Sequence, residues 1–405
     1  MINVAIMGHG VVGSGTAEIL INHPGRIEKA THTAVNVKYI LDLREFPGLS
    51  YSDKFVKDFN IILNDESVRV VAEVMGGINP AYDFVKKCLE KGKSVVTSNK
   101  ELVAAKGAEL LKIAAENNAN FLFEASVGGG IPVLRPISQC LAANEITEIS
   151  GILNGTTNYI LNKMIVENMD FDSALALAQK KGFAEKNPAA DIEGHDACRK
   201  IAILTSLVSG QRVDFEDIYT EGITKVTAED IMYADKLGRV IKLLAMSKKE
   251  ADGKYYAMVA PFLIDAANPL YSVNGVFNAI FVEGNMLGDS MFYGSGAGKL
   301  PTASAVVGDM ITAVRSGNDP EEIGWSSEKL EVHPASELSR KYFARFEGSE
   351  RAKKEVVEAA FGDVKFVTLE GKDEFAVLTG EMTGEEFDAA AAKVGGLRQK
   401  IAARL

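Results

Sequence analysis

The sequence predicts an α/β protein: a parallel sheet with helices on both faces over residues 1–130, an α+β domain over 131–300, and a small βαββα module over 336–405. Three observations carry this. Short apolar runs alternate with helical patterns through the first 130 residues, as βαβ units require. That alternation then stops. A Pro-bounded stretch, Pro320 to Pro334, separates a tail with its own rhythm. A length of 405 residues fits, since one domain usually takes roughly 100–200.

The elements follow in order. Asn3–Met7 is a short apolar strand, Gly8 to Gly15 a glycine-rich turn, and Thr16–Ile21 the start of a helix. Strands come again at Asn36–Leu41, Val68–Val74, Ser94–Thr97 and Phe121–Glu124. Between them, Pro80–Glu90 and Lys100–Asn117 have helical periodicity. In the second domain Ile149–Ile152, Val259–Ile264 and Ala279–Glu283 read as strands, and Tyr159–Glu167, Phe171–Lys181 and Gly194–Gly210 as helices. Thr302–Ser316 is an apolar helix expected to pack back onto the first domain. The linker opens with Asn318-Asp319-Pro320. In the tail Lys341–Phe346 is a strand and Ser349 caps a helix to Phe361. Lys365–Leu369 and Glu374–Thr379 form a hairpin, and Gly384–Val394 is a helix. No final strand is readable after Val394.

Composition excludes more than it names. The formal net charge is −11, from 44 basic and 55 acidic residues. That argues against nucleic-acid binding, which needs a basic face, and against a polybasic membrane patch. No apolar stretch approaches the roughly 20 residues of a membrane helix. The N-terminus reads directly as a strand, without a basic leader, so the expected location is the cytoplasm. Cys88, Cys140 and Cys198 are odd in number and far apart, which implies buried reduced thiols rather than disulfides or structural zinc.

The first chemical signal is Gly8-His9-Gly10-Val11-Val12-Gly13, a G-x-G-x-x-G string between an apolar strand and a helix. Gly8 permits the tight turn, Gly10 lets backbone approach a pyrophosphate, and Gly13 allows close helix–strand packing. The helix start, from Val11 and Val12, offers N–H groups to the phosphates. The first domain is therefore read as Rossmann-type and dinucleotide-binding. At the end of the second strand, Asp42 would bond the ribose 2′-OH of NAD and repel the 2′-phosphate of NADP. Arg44, two residues on, could instead pair with that phosphate. The reading favours NAD.

Lys200 lies four residues after Asp196, so both share one helix face. Alone, that is a surface ion pair. Glu185 and Asp191 alone are loop charges, and Lys100 is a cation oddly placed at a helix N-terminus. His195, adjacent to Asp196, points another way and is read as structural.

Set in order, several segments change those readings. They are Glu73-Val74-Met75-Gly76-Gly77-Ile78-Asn79-Pro80, Val95-Val96-Thr97-Ser98-Asn99-Lys100-Glu101-Leu102, and Glu124-Ala125-Ser126-Val127-Gly128-Gly129-Gly130-Ile131-Pro132. Gly151-Ile152-Leu153-Asn154-Gly155-Thr156-Thr157-Asn158-Tyr159 follows, then Gly182-Phe183-Ala184-Glu185, Pro188, Asp191, Gly194, Asp196 and Lys200. Gly294-Ser295-Gly296-Ala297-Gly298 with Pro301-Thr302-Ala303 comes last. Over about residues 1–316 the chain resembles homoserine dehydrogenases. The resemblance implies NAD- or NADP-dependent reduction of L-aspartate 4-semialdehyde to L-homoserine, on the path to threonine and methionine. It implies that Lys200 is the acid–base group, that Asp196 holds it, and that Lys100 lies near nicotinamide and substrate. Glu185 would bind the substrate ammonium, with Asp191 in the same pocket. Gly296 and Gly298 would lie near the cofactor. Glu124, Val127, Gly129 and Ile131 would hold a Na+ or K+ ion, mostly through carbonyls, at a hinge. The second domain would be catalytic and would assemble a homodimer or homotetramer.

The tail resembles an ACT module in element order only. Its first turn reads Phe346-Glu347-Gly348-Ser349-Glu350-Arg351, without the D-x-P-G turn that binds an amino acid effector in many such modules. It is expected to be a dimerising or stabilising appendage whose removal spares the chemistry. Two rival functions stay open: a dehydrogenase of another amino-acid semialdehyde, and a non-catalytic NAD(H) sensor. A phosphorylating member of the first class needs an activated thiol, and Cys140 has no neighbouring histidine.

Overall fold

Strand β1 (Ile2–Met7) is buried through its last four residues, as a parallel strand covered on both faces must be. In chain order α1 (Val11–Asn22), α2 (Pro24–Thr31), β2 (Val35–Leu41), β3 (Phe55–Val56), α3 (Phe59–Asn64), β4 (Val68–Glu73), α4 (Ala81–Glu90), β5 (Ser94–Thr97), α5 (Lys100–Glu116) and β6 (Phe121–Leu122) follow. The strands form one parallel sheet in the order β3-β2-β1-β4-β5-β6. The chain winds outward from β1 to β3, then crosses back to β4. Sheets of this kind bind ligands at the strand C-termini where the order reverses. Here that place is the ends of β1 and β4, which carry Gly8 and Glu73.

This computed structural model describes residues 1–317, 319–321 and 324–404. Asn318 at the start of the expected linker, Glu322 and Ile323 within it, and Leu405 at the end of the expected module lie outside the described residues. The chain divides into two compact units. The first holds residues 1–145, 202–215 and 292–330, and the second 146–201, 216–291 and 331–405.

The second unit opens with β7 (Ile146–Ile152), α6 (Gly155–Glu167), α7 (Phe171–Lys180), the short α8 (Ala189–Ile192) and the start of α9 (His195–Ser209). Then come β8 (Tyr219–Thr220), α10 (Ala228–Lys236), β9 (Val240–Lys249), β10 (Tyr255–Ile264), β11 (Asn278–Gly284) and β12 (Gly288–Gly294). Helix α11 (Lys299–Ser316) belongs to the first unit and packs on α1, where its Val306, Val307, Met310 and Ala313 join the core formed with Ala17 and Leu20.

The tail contains β13 (Val332–His333), β14 (Lys341–Glu347), α12 (Glu350–Phe361), β15 (Lys365–Thr368), β16 (Glu374–Leu378), α13 (Gly384–Val394) and β17 (Leu397–Arg404). Ser349 caps α12 through the N–H of Ala352, as expected. The structure corrects one expectation: β17 is a final strand, making the order βαββαβ. It pairs antiparallel with β14 and parallel with β10, so the tail continues the sheet β12-β11-β7-β9-β10-β17-β14-β16-β15. Removing the tail would uncover Phe262 and Ile264 of β10, both buried. Its own core gathers Phe346, Phe375, Val377 and Phe387.

Candidate active site

The glycine turn has the geometry its spacing predicts. Gly8 has φ of +100°, a conformation that disfavours any side chain. A Cβ on Gly13 would lie 2.0 Å from the carbonyl oxygen of Gly8, so α1 can approach the turn only with glycine there. A Cβ on Gly10 would meet nothing within 4 Å. Gly10 is the N-cap of α1 and supplies no capping side chain. The first-turn N–H groups therefore have no side-chain acceptor at the cap, in front of open space, which is the arrangement a phosphate takes. Val11 is exposed and Val12 half-buried at this mouth.

A cavity of about 480 Å³ runs from Gly8 and Gly10 past Leu41, Asp42 and Arg44 to Met75 and Pro80. Asp42 accepts the backbone N–H of His9 at 2.9 Å and the Arg44 guanidinium at 2.8 and 3.0 Å. The Arg44 side chain beside it holds the Asp42 carboxyl below the usual carboxylate range. Arg44 also donates to the carbonyl of His9. The two residues read as alternatives in the sequence are thus partners in the structure.

Lys100 is the first residue of α5, at the C-terminal end of β5, and is half-buried. The turn before it is ordered by a carboxylate that motif reading left without a role. Glu73 is fully buried and accepts the Thr97 hydroxyl at 2.7 Å and the N–H of Met75 at 2.8 Å. Burial pushes its pKa up. Asn99 caps α5 and donates to the carbonyl of Gly77, so the loops after β4 and β5 are joined.

The segment from Glu124 to Ile131 is also built inside the first unit. Glu124 is buried, and its carboxylate accepts the N–H groups of Val133, Leu134 and Arg135 at 2.6–2.8 Å. Its side chain is therefore committed to the protein, and only its carbonyl could face an ion. Val127 and Ile131 are buried apolar residues. A Cβ on Gly129 would strike the carbonyl oxygen of Gly296 at 2.3 Å, so the two glycine segments stack backbone on backbone. Gly298, with φ of +122°, is the N-cap of α11, and Lys299 after it pairs with Glu18 of α1 at 2.6 Å.

In the second unit the polar centre is on α6 and α9. Lys200 and Asp196 are both buried, one helical turn apart on α9. The Lys200 ammonium donates to Asp196 Oδ2 and to the carbonyl of Leu153, each at 2.7 Å. Asn154 is the N-cap of α6, accepting the N–H of Thr157, while its amide donates to Asp196 at 2.8 Å and to Asp191 at 2.7 Å. Three predicted residues thus share one hydrogen-bonded cluster, and Asn154 is its missed hub. The signal was present: an Asn before Gly-Thr-Thr at the start of a helical run is a capping position. Glu185 does not join the cluster. It is exposed on the turn after α7, and that turn is tied to α6 by the Thr156 hydroxyl on the carbonyl of Phe183. His195 is exposed and pairs with Glu193, outside the cluster.

Cys88 and Cys198 are buried free thiols, whereas Cys140 is exposed, against expectation. Among the described residues no helix is long and apolar enough to cross a membrane.

Comparison with known proteins agrees with this geometry. Residues 8–124 match the family model for the NAD binding domain of homoserine dehydrogenase, and residues 132–311 the model for homoserine dehydrogenase. A homoserine dehydrogenase of Synechocystis sp. is 42% identical over 360 residues, 85% of this chain and 82% of the relative. That of Bacillus subtilis is 39% identical over 318 residues, 78% of this chain and 73% of the relative. The crystal structure of a homoserine dehydrogenase from Thiobacillus denitrificans superposes with a TM-score of 0.92 at 30% identity, covering 100% of this chain and 98% of that one. A hyperthermophilic archaeal homoserine dehydrogenase mutant in complex with NADPH superposes at 0.65 with 29% identity, over 77% of this chain and 97% of that one. The chain belongs to the homoserine dehydrogenase family of NAD(P)-dependent oxidoreductases.

Proposed function

We propose that Lys200 carries the proton in the interconversion of L-homoserine and L-aspartate 4-semialdehyde by this chain. The observation that carries the reading is the buried ammonium fixed between Asp196 and the carbonyl of Leu153. Reduction of an aldehyde builds negative charge on its oxygen, and a held cation both meets that charge and supplies a proton. In the reverse direction the same nitrogen takes the hydroxyl proton. Asp196 compensates a charge that would otherwise be costly to bury, and Asn154 fixes Asp196. Asp191, in the same cluster, and Glu185, on the tethered turn, are the anionic groups assigned to the substrate ammonium. Lys100 is the second cation, at the strand edge of the first unit.

The bound nicotinamide gives or takes the hydride. Gly8, Gly10, Val11, Val12 and Gly13 hold its pyrophosphate against the start of α1, with Gly296 and Gly298 lining the same unit. We assign a preference for NAD. Asp42 supports it as an ionised carboxylate at the end of β2, positioned to accept a ribose hydroxyl once Arg44 shares it. A Na+ or K+ ion on the carbonyls of Glu124, Val127, Gly129 and Ile131 remains part of the proposal. So do action in the cytoplasm and assembly as a homodimer or homotetramer. Met286, Leu287 and Met291, exposed on the β11–β12 hairpin, support assembly.

The test is homoserine-dependent reduction of NAD and of NADP, measured separately for wild type and Lys200→Ala. Wild-type turnover in the variant would remove Lys200 from the chemistry.

A further inference from the structure

A separate cavity of about 410 Å³ lies in the second unit, among β10, β14, β17 and the start of α13. Its volume is that of a small-molecule pocket. Met258 and Ala260 of β10 and Ala402 of β17 give it an apolar floor, all three buried. Arg340, the residue before β14, lines one side.

The charges around the cavity are unequally matched. Asp388 pairs with Lys400 at 2.7 Å. Glu221 accepts the Tyr219 hydroxyl at 2.9 Å and lies 3.7 Å from Lys225. Arg340 meets only a thioether and a carbonyl, Met258 Sδ and the oxygen of Ala335. Among the described residues it has no carboxylate partner. Burial depresses its pKa, with only the nearby Tyr342 opposing. Arg340 is half-buried, and withdrawing a guanidinium from water without a counter-charge leaves its desolvation cost not offset. Its planar fork matches a carboxylate in geometry as well as in charge.

We propose that this cavity binds a small organic carboxylate, with the carboxylate on Arg340 and an apolar body over Met258, Ala260 and Ala402. The α-carboxylate of a free amino acid and a simple carboxylic acid share that chemistry. The site stands apart from the residue roles assigned to Lys200 and Asp196.

Met258 provides the readout. In enzyme carrying 13C-methyl methionine, its resonance is assigned by loss in Met258→Leu. The probes are L-leucine and 4-methylpentanoate, one carbon skeleton with and without an ammonium, each titrated to about 10 mM. The Met258 methyl is expected to shift saturably with at least one probe. A response to leucine alone identifies an amino acid site, and a response to 4-methylpentanoate identifies a carboxylate site that needs no ammonium. Arg340→Gln should weaken binding at least ~10-fold, the worth of a charge-assisted bond pair. Ala402→Leu, which fills the floor and keeps the guanidinium, should weaken it similarly and decides the matter if Arg340→Gln does not fold. No shift with either probe, or unchanged affinity in a folded Arg340→Gln or Ala402→Leu, overturns the proposal.

Discussion

The side-chain amide of Asn154 donates to Asp196 at 2.8 Å from the N-cap of α6, a helix that begins 40 residues before α9 begins. One residue thus starts α6 and fixes the carboxylate that holds Lys200. Asn154→Ala removes a cap worth about 1 kcal/mol and leaves Asp196 short of a donor. We expect kcat to fall roughly 10- to 100-fold, with a melting temperature lowered by only a few degrees. A loss confined to KM would separate Asn154 from the proton-carrying group.

Lys200 is tested by two replacements with different meanings. Lys200→Ala should lower kcat by at least ~100-fold, as loss of a general acid–base does. Lys200→Arg keeps the charge beside Asp196 but holds its proton at every accessible pH. It should fold with near-native stability and still lose most turnover. Substantial activity in Lys200→Arg would mean that the charge, and not the proton, is what the reaction uses.

The Asp42–Arg44 pair bears on cofactor choice. Asp42→Ala should raise KM for NAD by about tenfold, the worth of one charged hydrogen bond, and leave KM for NADP unchanged or lower. Steady-state kinetics with both cofactors measure the ratio. An NADP preference in the wild type would reverse the assignment and make Arg44 the residue that reads the ribose.

The parallel sheet was legible because its central strands carry continuous apolar runs next to turn residues, as in Val4–Met7 of β1 and Val70–Ala72 of β4. The cluster around Lys200 was legible through ordered motifs, since i,i+4 spacing alone suits any surface ion pair. Strand β9 was not, because Lys242 interrupts its apolar run, and burial of that lysine depends on acceptors from α6 and a distant loop. Strand β17 was hidden in the same way. Arg398, Lys400 and Arg404 make it read as a charged tail, and only pairing with β10 and β14 makes it a strand. The role of Glu73 was invisible because one partner, Thr97, ends a different strand, β5, and the other, Met75, lies in the loop after β4.

Asp309 of α11 sets a pH dependence in the first unit. It is buried, accepts the N–H of Glu124 at 2.8 Å, and lies 3.5 Å from the Arg135 guanidinium. Burial pushes its pKa up to about 7 from 3.8, against the pull of Arg135. Between those values the folded state holds a proton that the unfolded state has lost. Stability from this group is complete below about pH 4 and declines as pH rises to about 7, with a ceiling of roughly 4 kcal/mol. Asp309→Asn mimics the protonated form. The stability difference between variant and wild type should therefore grow from pH 4 to 7 in urea titrations. A difference that stays constant over that range would mean that Asp309 does not titrate there.

Lys242 has the opposite logic. Its ammonium is buried and donates to Val273 O at 2.7 Å, Asn274 Oδ1 at 2.9 Å and Asn158 Oδ1 at 3.3 Å, all neutral acceptors. Among the described residues no carboxylate pairs with it. Desolvation lowers its pKa to about 8 from 10.5. Below pH 8 both states are protonated and the folded state carries the full cost of the buried charge. Above it the folded state releases a proton that the unfolded state keeps to about pH 10.5. Stability from this group should therefore rise by about 3 kcal/mol across that window. Lys242→Met removes the titration while leaving three acceptors without a donor, so its absolute stability has no fixed sign. The slope does: the wild type should gain on the variant between pH 8 and 10. Because Asn158 lies one helical turn after Asn154 on α6, the same change should loosen the helix that holds Asp196. Parallel melting curves would refute this account of Lys242 as a buried charge without a counter-ion.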